Sequence, residues 1–179
     1  MPAQELKLLF AGPMGAGKTT AIRTISDIVP VSTEAANIDR AQHGKAETTV
    51  GLDYGETLLE GGECLRLYGL PGQTRFEFMW KIVMKGALGM ILLLDNSRDD
   101  AVAQMEIYLD AFEELARNSS MVIGVGRCAE GSTRIHDYTQ ALQLRGLCLP
   151  VFAVDVRKRD DVLLLLEALL QQIEAYETI

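Results

Sequence analysis

The chain has 179 residues, of which 48% are hydrophobic, and its formal net charge at pH 7 is −8. This length fits one domain, which we expect to span residues 1–179, and the negative charge argues against nonspecific binding of nucleic acid. The three cysteines form no C-x-x-C pair, which is typical of reduced thiols in a cytoplasmic protein. The most apolar stretch, residues 87–94, is far shorter than the roughly 20 residues of a membrane span. With neither a signal peptide nor a lipidation motif recognisable, we expect no direct membrane anchor.

Strand and helix patterns alternate along the chain. The predicted strands comprise residues 6–11, 49–59, 64–68, 90–95, 121–125 and 149–154, and the predicted helices comprise residues 18–28, 76–85, 100–117, 133–144 and 160–176. The second and third strands are joined by residues 60–63, which read EGGE and are typical of a hairpin turn. This order predicts an α/β protein with a doubly wound, six-stranded, mostly parallel sheet, one antiparallel edge strand and about five helices.

The loop after the first predicted strand is the most informative segment. Residues 12–19 read GPMGAGKT and fit the pattern G-x-x-x-x-G-K-[ST] of a phosphate-binding loop. The glycines allow backbone N–H groups to surround a phosphate, Lys18 would reach the β- and γ-phosphates, and the hydroxyl of Thr19 would bind Mg²⁺. The helix that follows directs its positive end toward the same anion. The pattern predicts a P-loop NTPase whose nucleotide contacts include Gly12, Met14, Gly15, Ala16, Gly17, Lys18, Thr19 and Thr20.

A second landmark follows the third predicted strand, which leads through Pro71-Gly72-Gln73 into a helix. Together with the phosphate loop, this segment resembles the Ras-like small GTPases, above all the bacterial branch related to MglA and to GTPases partnered by roadblock proteins. The resemblance covers essentially the whole chain and implies GTP and GDP as ligands, with Mg²⁺. It also implies that Gly72 donates its N–H to the γ-phosphate and that Gln73 orients the attacking water. The alternative is that residues 71–73 form an ordinary surface turn.

The segment between these landmarks resembles the first switch of the same family. Thr49 aligns with the threonine whose hydroxyl binds Mg²⁺ and whose N–H touches the γ-phosphate, which implies both a metal-binding and a catalytic role. Thr48 takes this position if the register is shifted by one residue. The simpler interpretation is two β-forming threonines at the start of a strand.

One departure from the family pattern concerns the metal. The family places an aspartate associated with Mg²⁺ at position 69, where this chain has Gly69. Asp53, four residues beyond Thr49, is a candidate to point toward the same metal-bound water. The alternative is an edge-strand aspartate that faces solvent.

The base-recognition motif departs further. Where Ras-like proteins carry N-K-x-D, residues 126–129 read GRCA. The stem of Arg127 can stack on a base, but Ala129 cannot accept a hydrogen bond, and only a shift by one position would bring Glu130 into its place. In the last motif, the resemblance implies that the N–H of Val156 contacts the guanine carbonyl, with Arg157 beside it. The choice between guanine and adenine is left open.

Turnover depends on what surrounds Gln73. Met14 stands where the family has glycine to leave room for Gln73 and an incoming arginine, so slow intrinsic hydrolysis is implied. Arg40 and Arg75 are candidate arginines, and surface solvation is the alternative role of each. We expect a GTP-binding switch with slow, Mg²⁺-dependent hydrolysis, stimulated by a roadblock-type regulator or GAP-like protein and acting on an unknown effector. The alternative is a pseudo-GTPase, an interaction scaffold with degenerate guanine recognition.

Overall fold

In a computed structural model of the chain, residues 6–32, 51–132 and 134–178 are described. These residues form seven strands and six α-helices. In chain order they are β1 (Leu6–Ala11), α1 (Lys18–Ile25), β2 (Val31–Ser32), β3 (Asp53–Leu58), β4 (Cys64–Gly69), α2 (Glu77–Met84), β5 (Gly89–Asp95), α3 (Ala101–Ala111), α4 (Glu113–Arg117), β6 (Met121–Gly126), α5 (Ile135–Leu144), β7 (Val151–Ala153) and α6 (Arg159–Glu177). A single 3-10 turn, Thr74–Phe76, leads into α2.

All seven described strands belong to one sheet, in the order β2-β3-β4-β1-β5-β6-β7. Strand β3 runs antiparallel to β2 and β4, whereas the other neighbouring strands pair in parallel. The predicted α/β class with a doubly wound, mostly parallel sheet is confirmed. The sheet has one strand more than predicted because Val31 and Ser32 pair with β3, so the antiparallel strand lies one position inside the edge. A strand of two residues is too short to show a recognisable alternation of apolar and polar side chains.

The helix predicted over residues 100–117 is divided into α3 and α4, which raises the number of described α-helices from five to six. The division falls at Phe112, whose backbone leaves the helical region with φ −120° and ψ 36°. Its ring is buried against Trp80, and the ring centres are 5.6 Å apart. Among the described helices, none combines the length and the apolar character needed to cross a bilayer. The assignment of residues 1–179 to one domain stays a prediction.

Strand β5 shows how helices cover both faces of the sheet. Met90, Leu92 and Leu94 pack into one core with residues of α2, α3 and α5, whereas Ile91 and Leu93 pack into a second core with residues of α1 and α6. Because side chains alternate along a strand, a strand buried on both faces reads as a continuous apolar run. The carboxyl ends of the parallel strands meet at one edge, where ligands of such sheets bind.

Candidate nucleotide-binding site

The loop between β1 and α1 has the backbone conformation that its glycines predict. Gly15 and Gly17 have φ angles of 79° and 100°, a region that L side chains rarely adopt. Gly12 is also limited by space, since a Cβ there would lie 2.1 Å from the carbonyl oxygen of Leu93 on β5. The three glycines therefore permit a tight connection between strand and helix that other residues would make only under strain.

The side chain of Lys18 is buried within this loop. Its Nζ donates to the carbonyl oxygens of Gly12 at 2.6 Å and Pro13 at 2.9 Å. Burial lowers the pKa of Lys18 from its ordinary value to about 8, and the negative charge of Asp53 opposes this shift. The ammonium group is thus held at the loop by two neutral acceptors, and an anion close by would stabilise its charged form.

The carboxylate of Asp53 faces Thr19 at the start of α1. Thr19 Oγ1 donates to Asp53 Oδ2 at 2.5 Å, and Ser32 Oγ donates to Asp53 Oδ1 at 2.8 Å. Asp53 also pairs with Gly69 across the β3–β4 ladder. A Cβ built on Gly69 would lie 3.0 Å from the Cβ and 3.1 Å from Oδ2 of Asp53. Asp53 therefore fills the space that a side chain at position 69 would need, and it is directed toward Thr19.

Three residues with predicted roles, Thr48, Thr49 and Arg40, lie outside the described residues, so their roles stay predictions. Arg75 is exposed on the 3-10 turn, and its guanidinium carbon lies 4.9 Å from the ring centre of Phe76. This cation–π contact favours the surface role that was the alternative for Arg75.

The segment after β4 packs directly on the phosphate loop. A Cβ on Gly72 would lie 2.6 Å from the backbone nitrogen of Met14 and 2.7 Å from the carbonyl carbon of Pro13, so only glycine fits here without a shift of the backbone. Gln73 Nε2 donates to the thioether sulfur of Met14 at 3.1 Å. The fold thus brings Gln73 into contact with the phosphate-loop residue that the sequence predicted to crowd it.

Two aromatic residues hold this segment from the other side. Trp80 is buried on α2, and its Nε1–H donates to the carbonyl oxygen of Pro71 at 3.0 Å. Its ring stacks on Tyr108 of α3, with 4.8 Å between ring centres, and the Tyr108 hydroxyl lies 3.4 Å from the carbonyl oxygen of Gly72. Helices α2 and α3 therefore support the turn that places Gln73.

A cavity of about 540 Å³ lies beside the phosphate loop, at the carboxyl ends of β6 and β7. Three predicted base contacts, Arg127, Val156 and Arg157, line it. The other lining residues are Ala16, Gly17, Thr20, Leu94, Gly126, Cys128, Ala153, Val154, Asp155 and Asp161. Predicted base contacts and part of the predicted phosphate loop are thus brought together in one cavity.

Arg127 joins this cavity to the phosphate loop. It has a left-handed backbone with φ 54°, and its guanidinium pairs with Asp95 and donates to the carbonyl oxygen of Gly15 at 3.0 Å. Burial opposes the ionisation of Asp95, but hydrogen bonds from Ser97 and the charge of Arg127 outweigh it and hold the pKa of Asp95 below its usual range. The sequence analysis missed Asp95. The available signal was a carboxylate at the end of a strand that is otherwise apolar.

The two positions considered for the guanine-binding carboxylate, 129 and 130, do not line this cavity. Ala129 and Glu130 are both exposed and are not among the described residues that line it. Two carboxylates in the described part of the chain do line it, Asp155 and Asp161. The sequence suggested no role for either, although Asp155 directly follows the predicted strand 149–154.

A comparison of folds identifies the architecture. The G domain of the iron transporter FeoB from T. maritima matches with a TM-score of 0.59 over 97% of this chain and 99% of that chain, at 17% sequence identity. The chain has the fold of a P-loop GTPase G domain. This fold places a phosphate loop after the first strand, where Gly12 to Thr19 stand.

Sequence comparisons extend this similarity. Ras-related protein Rab-18-B of Danio rerio is 25% identical over 173 residues, which cover 94% of this chain and 78% of that protein. An uncharacterised protein of Methanocaldococcus jannaschii is 30% identical over 101 residues, which cover 55% of this chain and only 56% of that protein. No protein-family model matches the chain. The Rab similarity, together with the G-domain fold, supports a place in the P-loop GTPase superfamily.

Proposed function

We propose that this protein is a molecular switch that binds GTP and GDP with Mg²⁺ and hydrolyses GTP slowly. The observation that carries the proposal is the meeting of three segments at one edge of the sheet. Lys18 lies within the phosphate loop, the Thr19 hydroxyl faces Asp53, and Gln73 touches the loop at Met14. The G-domain fold and the similarity to a Rab protein support the choice of a guanine nucleotide.

The residues at this edge fit a magnesium ion. Mg²⁺ prefers oxygen ligands and is usually held by one or two protein groups together with phosphate oxygens and water. In the described ranges, no group of three or more His, Cys, Asp or Glu side chains is placed to hold a metal by itself, and a nucleotide-bound Mg²⁺ needs none. Thr19 and Thr49 would hold the ion, and Asp53 would accept from a metal-bound water. When bound, Mg²⁺ would neutralise charge on the β- and γ-phosphates.

Different groups of the chain would then perform separate parts of the reaction. The ammonium of Lys18 and the loop N–H groups would stabilise negative charge on the phosphates, and the N–H of Gly72 would hold the γ-phosphate. The amide of Gln73 would orient a water whose oxygen attacks the γ-phosphorus. The bond from that phosphorus to the bridging oxygen breaks, GDP leaves with the electron pair, and the proton of the water passes to phosphate.

Substituting Met14 with Gly is expected to accelerate single-turnover GTP hydrolysis. Gln73 must release the thioether before it can orient water, and a net hydrogen bond of about 0.5–1.5 kcal/mol corresponds to roughly a 2- to 10-fold gain. Met14→Leu is the matched control, since it keeps the bulk and removes the sulfur acceptor. Equal rates for the wild type and both variants would contradict this account of slow turnover.

Substituting Asp53 with Asn is expected to raise the Mg²⁺ concentration needed for half-maximal GTP binding by about 10- to 100-fold, since a hydrogen bond to a charged group contributes roughly 1.5–3 kcal/mol. The affinity for GTP measured in EDTA should be the same for Asp53→Asn and the wild type. Asp27→Asn is a suitable control, because Asp27 accepts from Thr57 and Leu58 at the far end of β3. An unchanged Mg²⁺ dependence in Asp53→Asn would remove Asp53 from the metal site.

Regulation and location belong to the same proposal. The exposed Met14 and the surface role favoured for Arg75 support slow turnover that a roadblock-type or GAP-like partner stimulates. The combination of Pro71-Gly72-Gln73 with Gly69 supports a place near the MglA-related branch. Cys64, Cys128 and Cys148 form no disulfide with one another, which supports a cytoplasmic location.

The decisive experiment identifies the nucleotide that denaturation releases from purified protein, by ion-exchange chromatography against standards. Competition with GTP and ATP then follows, each in Mg²⁺ and in EDTA. Released GDP together with Mg²⁺-dependent GTP binding is the expected result. If neither triphosphate binds under either condition, the switch proposal fails and the scaffold alternative takes its place.

A further inference from the structure

Selective binding of guanine requires a particular acceptor. Guanine presents two adjacent donors, N1–H and the 2-amino group, and one carboxylate can accept both. Adenine presents an unprotonated N1 and a C–H at the same edge, so a carboxylate there repels it. Position 129, where Ras-like proteins supply this carboxylate, is alanine, and neither Ala129 nor its neighbour Glu130 belongs to the described wall of the cavity.

The two carboxylates that do line the cavity are engaged differently. Asp161 Oδ2 accepts the backbone N–H of Asp155 at 2.7 Å and so helps to hold the turn after β7. The side-chain oxygens of Asp155 accept only from Arg157, at 2.8 Å and 2.7 Å from the guanidinium and at 3.1 Å from the backbone N–H, among the contacts described. The Arg157 side chain is 80% exposed. Ion pairs this exposed are weak, so a ligand can replace the arginine.

The backbone around Asp155 is fixed relative to the phosphate loop. The N–H of Val154 donates to the carbonyl oxygen of Val125 on β6, and the Thr24 hydroxyl on α1 donates to the carbonyl oxygen of Val156. A Cβ on Gly17 would lie 2.8 Å from Val156 Cγ2, so the turn packs on the end of the phosphate loop. Asp155 is therefore held next to the base-binding cavity whether or not its side chain contacts Arg157.

We propose that Asp155 is the residue that reads guanine in this protein, in place of the carboxylate missing at position 129. This inference rests on the proposed nucleotide binding and adds the source of its base preference. On binding, the carboxylate exchanges Arg157 for the N1–H and 2-amino donors of the base. The hydrogen bonds from Arg157 hold the pKa of Asp155 at about 2, so the acceptor is ionised at neutral pH before the base arrives.

Asp155→Asn provides the test, because an amide offers a donor where the carboxylate had only acceptors. GTP affinity should fall about 10- to 100-fold. Affinity for xanthosine triphosphate, which carries an oxygen in place of the 2-amino group, should rise by a comparable factor. In the wild type, inosine triphosphate, which lacks the 2-amino group, should bind about 10-fold more weakly than GTP, and Asp155→Ser should abolish that difference. Kd values come from competition against a fluorescent guanine nucleotide, with melting curves for every variant.

Matched variants separate the possible outcomes. Asp161→Asn and Glu130→Gln should leave the ratio of GTP to xanthosine triphosphate affinity unchanged. The assignment of Asp155 is overturned if Glu130→Gln or Asp161→Asn shifts the preference from GTP to xanthosine triphosphate instead. It is also overturned if the wild type prefers ATP. If Asp155→Asn binds GTP normally and its preference for GTP over xanthosine triphosphate is unchanged, the assignment of Asp155 is overturned as well, but the proposed function stays intact. A wild type that binds no purine triphosphate overturns both.

Discussion

Replacing Lys18 with Met is expected to lower the affinity for GTP and GDP by about 10²- to 10⁴-fold. The ammonium already makes two hydrogen bonds to loop carbonyls, so its position is set before a ligand arrives. Two charge-assisted hydrogen bonds to phosphate oxygens, at roughly 1.5–3 kcal/mol each, account for a loss of this size. Methionine has a similar length and suits a buried position, so isothermal titration calorimetry can be performed on folded protein.

The same lysine predicts a pH dependence. Burial lowers its pKa to about 8 in the free protein, and a bound triphosphate raises it again, so binding above pH 8 takes up a proton. Wild-type affinity should therefore fall between pH 8 and 9, by at most about tenfold per pH unit. Below pH 8 this contribution should be nearly constant, because Lys18 is already charged in the free protein.

Lys81→Met, on the exposed side of α2, is the control for a change of charge and should bind GTP as the wild type does. The Lys18→Met variant should also lack the fall in affinity above pH 8. A Lys18→Met protein that binds GTP within about threefold of the wild type would show that the buried ammonium does not hold the phosphates.

The phosphate loop could be predicted because its determinants lie within eight consecutive residues. Glycine at positions 15 and 17 permits the positive φ angles found there, and the helix after them begins at Lys18, as the sequence indicated. The α/β class followed in the same way from the alternation of apolar strands and helices. Local patterns of this kind require no knowledge of how distant segments pair.

The contact between Thr19 and Asp53 is different, because 34 residues separate the two. The contact depends on the hairpin register that pairs Asp53 with Gly69. From the sequence, Asp53 had two possible roles, one toward the metal-bound water and one facing solvent. Shifting a strand by one residue moves each side chain to the opposite face, so the pattern alone did not decide. The left-handed backbone of Arg127 was also unpredictable, since residues other than glycine rarely adopt it.

The cavity beside the phosphate loop was equally hard to predict from the sequence. Its wall combines residues from the start of α1 with residues at the ends of β5, β6 and β7, which only the three-dimensional order of the strands brings together. Ala129 and Glu130 stand where the family motif predicts the guanine-binding carboxylate, because they follow β6 in sequence. The carboxylate of Asp155, which lines the cavity, instead follows the neighbouring strand β7.

Replacing Gly72 with Ala is expected to slow single-turnover GTP hydrolysis by about 10²-fold, the cost typical of displacing a catalytic group by roughly 1 Å. The new Cβ would collide with backbone atoms of Met14 and Pro13, at 2.6 Å and 2.7 Å, and backbone cannot move aside as a flexible side chain can. The turn must therefore retreat from the loop and take Gln73 with it. GDP affinity should change by less than about threefold, because the phosphate loop itself is intact.

Two measurements distinguish this displacement from general damage to the fold. Trp80 is the single tryptophan of the chain, and it donates to the carbonyl oxygen of Pro71. Its fluorescence should therefore change in Gly72→Ala when the turn at residues 71–73 moves. Gly61→Ala, in the β3–β4 hairpin, meets only the flexible end of Glu63 and should leave rate and fluorescence unchanged. If Gly72→Ala hydrolyses GTP at the wild-type rate, close packing of this turn on the phosphate loop is not what positions Gln73 for the proposed reaction.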